Sequence, residues 1–81
     1  MLEEIFSIIT SHCHSVLGSL NDHVISKEDR LKELGANSID RAEIISLTMD
    51  SLSIDVPRVD LFGAETIGDL AQVFYTKINK N

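Results

Sequence analysis

Three groupings of side chains in this sequence have the residue types that chemistry needs. The first is His12-Cys13-His14. On a helix, residues two apart point roughly 200° from each other, so the two imidazoles cannot close on one metal ion. His23 is the only further histidine and Cys13 the only cysteine, which leaves a zinc site short of ligands and rules out an internal disulfide. Cys13 falls on an apolar stripe and reads as a small core residue. The second grouping is Asp50-Ser51-Leu52, late in a helical run. A nucleophilic serine needs a base held against it, and nothing in the sequence turns His12, His14 or His23 toward Ser38 or Ser51. Gly18, Gly35, Gly63 and Gly68 stand alone and form no phosphate cradle. The span from Asp50 to Asp60 lacks the central glycine and closing glutamate of a calcium loop. Neither an enzyme nor a metal centre is expected.

The third grouping is Leu34-Gly35-Ala36-Asn37-Ser38-Ile39-Asp40, where a loop containing glycine delivers a serine to the start of a helix. Two readings share this geometry. Ser38 can be the N-cap, since serine is favoured there. Alternatively, its hydroxyl is exposed to a modifying enzyme, at a helix end whose positive dipole suits a phosphate. Local physics favours the cap and leaves the second reading open.

The elements that must position these residues follow from apolar spacing. Leu2, Ile5, Phe6, Ile9, Cys13, Val16 and Leu17 predict an amphipathic helix over 2–17, with Glu3 and Glu4 in its first turn and Gly18 as its stop. Periodicity fades from Ser19 to Asn37. Asn21, Asp22, Ser26 and Gly35 mark a connection long enough to hold a short helical turn or a functional surface, pinned by Leu31 and Leu34. A second helix is predicted over 38–52, with Ile44, Ile45 and Leu52 on one side and Ile39, Ala42 and Met49 on another. Such a helix is either fully buried or offers one side to partners. Pro57 blocks its continuation, Arg58–Phe62 reads as a brief helix ending at Gly63, and Thr66 with Asp69 caps a last helix carrying Ile67, Leu70, Ala71, Phe74 and Ile78. No segment alternates strictly. The expected fold is all-α: a small four-helix bundle of three main helices and one short helix.

The 81 residues suffice for one core, so residues 1–81 are expected to form a single domain. Thirteen acids against seven bases give a net charge of −6, with seven acids and two bases between Ser38 and Asp69. An acidic surface disfavours nucleic acid and steers toward basic protein surfaces. No apolar run is long enough to span a membrane, and there is no basic leader with an apolar stretch behind it, so a cytoplasmic protein is expected.

The segment from Asp29 to Phe74 resembles the acyl carrier proteins. It has Leu-Gly-x-x-Ser before a helix, an acidic helix, an apolar-x-apolar-Pro stop, a short helix, and Thr-Ile-Gly-Asp-Leu at the start of the last one. The resemblance implies that Ser38 receives 4′-phosphopantetheine from coenzyme A, and that the arm's thiol carries an acyl group as a thioester. Asn37 replaces the family's usual Asp, and Ile39 its usual Leu. Asp50-Ser51-Leu52 matches the family tripeptide letter for letter but has no loop in front of it, so Ser51 is assigned a structural role.

The stretch from Ser38 to Ile45, with Met49, Leu52-Ser53-Ile54, Val56-Pro57-Arg58-Val59 and Phe62–Ala71, is similar more narrowly to the free-standing donor carriers of polyketide β-branching cassettes. These present acetyl to a hydroxymethylglutaryl synthase-like enzyme. The implied partners are a phosphopantetheinyl transferase, an acyl-loading enzyme, and a synthase of that kind or a ketosynthase, met by a monomeric carrier. Asp40, Arg41 and Glu43, with Asn37, Ile39, Ala42 and Met49, are expected to form the docking face, and Arg41 to act there as a charge that repels wrong partners. A fatty-acid or aminoacyl carrier, and a helical interaction module without the arm, are the alternatives.

Overall fold

The computed structural model describes residues 1–18 and 24–79. The expected loop residues Asn21, Asp22 and His23 lie outside these. Three α-helices form: α1 (Leu2–Val16), α2 (Ser38–Leu52) and α3 (Ile67–Asn79), with a short 3-10 helix at Arg58–Leu61 between the last two. Among the described residues there is no strand, only an isolated bridge between Arg30 and Thr66. The all-α architecture of three main helices and one short one is as the spacing predicts.

The helix α1 packs against both α2 and α3, and the 3-10 helix packs against α3; α2 and α3 make no comparable backbone approach to each other. The core takes Ile5, Ile9 and Cys13 from α1, Ile44 and Ile45 from α2, and Ile67, Leu70 and Phe74 from α3. Each of these larger apolar side chains contributes about 1.5–3 kcal/mol on full burial. The two sides of α2 differ most at their first members: Ile44 and Ile45 are buried and Ile39 is 77% exposed, while Leu52 and Met49 are both half-buried against the core. This helix therefore offers one side outward, which periodicity alone had left open.

The connection into α2 is built from main-chain bonds. Leu34 N–H donates to Arg30 O at 3.0 Å, Gly35 N–H to Lys32 O at 3.2 Å, and Ala36 N–H to Leu31 O at 3.0 Å. These last two bonds close a single helical turn in the Schellman pattern, which needs a left-handed residue where Gly35 sits with φ 99°. Leu31 and Leu34 are buried beneath it. The far side of the loop is fastened to α3, whose Ile67 and Gly68 N–H groups donate to Asp29 O and Lys27 O at 2.8 and 2.9 Å. A Cβ on Gly68 would lie 3.1 Å from both Lys27 Cβ and Lys27 O, so the close approach depends on the glycine.

Candidate functional site

Ser38 is the first residue of α2, not its cap, which corrects the capping reading of that serine. The cap is Asn37: its side-chain oxygen accepts from Asp40 N–H at 2.8 Å, and Asp40 Oδ2 accepts from Asn37 N–H at 3.3 Å. This capping box satisfies two backbone donors and relieves the Ser38 hydroxyl of that work. Ser38 is exposed, and its Oγ has no hydrogen-bond partner among the described residues. The N–H groups of a helix's first turn have no partner within the helix, so the hydroxyl stands at a locally positive end.

Two grooves open beside Ser38, and both are also lined by Arg41 and Phe62. One, of about 650 Å³, runs toward Arg30, Lys32 and Glu65. The other, of about 530 Å³, follows α2 past Ile39, Ala42, Ile45 and Met49 to Val56 and Leu61. The first mixes apolar side chains with Arg30, Lys32 and Arg41, Arg30 being paired to Glu65 at 3.6 Å; the second is lined largely by apolar side chains.

The expected docking residues are all on or next to α2, in different settings. Asn37, Ile39, Ala42 and Glu43 are exposed, while Asp40, Arg41 and Met49 are half-buried. Arg41 Nη2 donates to Leu61 O and Ala64 O, both at 3.3 Å, tying α2 to the turn after the 3-10 helix. Met49 Sδ accepts from Val56 N–H at 3.2 Å and ties the near end of the same segment. Phe62, 78% exposed, and Val59, 69% exposed, were not among the expected docking residues. The signal for them was present: Val59 and Phe62 lie three apart in the short helical segment between Pro57 and Gly63, and so share one face.

The other two groupings fall elsewhere. Cys13 is fully buried, and burial pushes its thiol up to about 11, so it stays protonated and inert at neutral pH. His12 Nε2 and Ser51 Oγ share a hydrogen bond of 2.9 Å, with the donor set by the imidazole tautomer. No residue spacing brings a histidine to Ser51; this contact clips α1 to the last turn of α2.

Comparison with known proteins agrees with this geometry. The family model described as phosphopantetheine attachment site matches residues 7–74. The polyketide biosynthesis acyl-carrier-protein AcpK of Bacillus subtilis (strain 168) is 43% identical over 76 residues, covering 94% of this chain and 93% of that protein. A chain in the crystal structure of the curacin biosynthetic pathway HMG synthase in complex with acetyl donor-ACP superposes with a TM-score of 0.89 at 39% identity. That match covers 95% of this chain and 99% of the other.

The residues around Ser38 suit the group this family carries. A phosphodiester needs an accessible attachment oxygen and positive surroundings; the start of α2 supplies the first, and Arg30, Lys32 and Arg41 line the groove beside it. The chain belongs to the phosphopantetheine-attachment family of acyl carrier proteins, whose prosthetic group is covalently bound 4′-phosphopantetheine.

Proposed function

We propose that residues 1–81 form a single monomeric carrier domain that bears 4′-phosphopantetheine on Ser38 and serves as the acetyl donor in polyketide β-branching. The observation that carries the attachment site is the division of labour at the start of α2: Asn37 and Asp40 do the capping, and an exposed serine hydroxyl is left over at the positive helix end. The arm, once attached, supplies the thiol that holds the acyl group as a thioester. The protein's own residues hold and present it and break no acyl bond, so the chain acts as a tethered substrate, not as an enzyme.

Presentation needs brief, sequential docking to a transferase, a loading enzyme and a hydroxymethylglutaryl synthase-like enzyme. Charge suits that task better than extensive apolar contact, because it speeds encounter without prolonging the complex. With a net charge of −6 and Glu43 exposed on α2, the docking face favours basic partner surfaces. Ile39, Ala42 and Met49 give it an apolar centre, flanked by Asn37, Asp40 and Arg41. The donor role is supported by the polyketide relative and by the neighbour's complex with an HMG synthase. No helix among the described residues is long and apolar enough to cross a membrane, in keeping with a cytoplasmic carrier.

Intact mass after co-expression with a phosphopantetheinyl transferase tests the attachment. One arm is expected on the wild type and on Ser51→Ala, and none on Ser38→Ala. An arm retained by Ser38→Ala would overturn the assignment, and no arm on the wild type would favour a helical module that works without one. Incubating the acetyl-loaded form with a β-branching synthase and following loss of the acetyl mass then separates a donor carrier from a fatty-acid or aminoacyl carrier.

A further inference from the structure

We propose that Phe62, held in place by Arg41, is an apolar anchor read by the condensing synthase that takes the acyl group from the Ser38 arm; this rests on the donor-carrier reading above. A phenylalanine 78% exposed leaves much apolar surface in water, which a docked partner would cover. Its position gives the partner. Phe62, Ser38 and Arg41 line both grooves, so an enzyme surface that closes around the arm at Ser38 also covers Phe62. Five large apolar side chains are notably exposed among the described residues: Met1, Val24, Ile39, Val59 and Phe62. Ile39 lines one groove with Phe62, and Val59 precedes Phe62 by three residues. Exposed Glu43, Asp60 and Glu65 lie on the same segments. Exposed Lys32 and Arg58 line the same grooves, so the fitting partner surface is an apolar socket with a rim of both charges.

Arg41 is the positioning residue in this arrangement. Its two bonds end on the carbonyls of Leu61 and Ala64, which bracket Phe62 on either side in sequence. Its half-buried guanidinium is therefore directed to main-chain acceptors and reaches a partner through the turn it holds. Glutamine at 41 is too short to reach both carbonyls and loses the charge, whereas lysine keeps the charge and a terminal nitrogen with three N–H donors, without the planar fork.

The test uses holo-protein, with one arm on Ser38 verified by mass, titrated against an HMG synthase of the curacin type. Phe62→Ala should raise Kd roughly tenfold, as expected for truncating a central aromatic contact. Arg41→Gln should raise it by a smaller factor, the double variant should be no weaker than Phe62→Ala alone, and Arg41→Lys should recover part of the loss. Val24→Ala, at an 88% exposed site outside both grooves, should leave Kd unchanged. An unchanged Kd for Phe62→Ala overturns the anchor. Full additivity of the two substitutions overturns the coupling, since Arg41 would then act independently. Phe62→Ala and Arg41→Lys decide the matter if Arg41→Gln does not fold. A wild-type holo-protein that does not engage the synthase overturns the donor reading itself, and this inference with it.

Discussion

The starts of α2 and α3 use the same local device to different ends. Each carries a reciprocal capping box, Asn37 with Asp40 and Thr66 with Asp69, the latter with Asp69 N–H donating to Thr66 Oγ1 at 3.0 Å and Thr66 N–H to Asp69 Oδ2 at 3.3 Å. At α3 the next two N–H groups are taken by Asp29 O and Lys27 O, and Ile67 is buried. That end is a staple: it fastens the incoming loop to the bundle. At α2 the residues after the cap, Ser38 and Ile39, face outward beside two grooves. A capping box alone thus says nothing about function. What distinguishes the two ends is whether main chain or open space lies in front of them, and the closed end is what holds the open one in place.

Ser38→Ala should have the largest effect, abolishing arm addition by mass while leaving the melting temperature within a degree or two, because the serine makes no described bond. Gly68→Val should be the most damaging to stability, by about 1–3 kcal/mol in a denaturant titration, since the added side chain must displace Lys27. Loop release at α3 should then slow arm addition at Ser38, some thirty residues away in sequence. Asn37→Ala and Thr66→Ala should each cost about 1 kcal/mol.

The Asp69 carboxyl is held below the usual 3.8 by its bonds from the Thr66 and Glu65 main chain and by the Thr66 hydroxyl and Arg30. A lowered folded value stabilises at neutral pH and is lost as pH falls through it. The melting temperature of Asp69→Asn should therefore lie below that of wild type at pH 7, and the gap should narrow below about pH 4. The smallest effect is a gain: Ser53 closes α2 with φ 55°, and Ser53→Gly should stabilise by about 0.5–1 kcal/mol.

Much of this was legible in the sequence where local rules decide. The bounds of α2 follow from a cap at one end and Pro57 beyond the other, and Thr66 with Asp69 marked the start of α3. Ser38 as the N-cap was off by one residue, because Asn37 and Ser38 are both good caps and only the reach of Asp40 to Asn37 N–H chooses between them. The attachment serine itself was reached through family resemblance, not through local physics. What stayed hidden depends on contacts far apart in sequence. Arg41 meets carbonyls 20 and 23 residues away, and His12 meets Ser51 across 39. Arg41 read as a surface charge because nothing in its own helix shows that its guanidinium has an acceptor.

Cys13 has a practical corollary for anyone handling this carrier. Its sulfur is walled in by the bundle and reluctant to ionise, so under native conditions a thiol-specific reagent meets only the tip of the arm. The fraction of chains bearing cargo can then be counted directly by the labelling that is blocked, and the same count taken after unfolding supplies its own internal standard of one cysteine per chain.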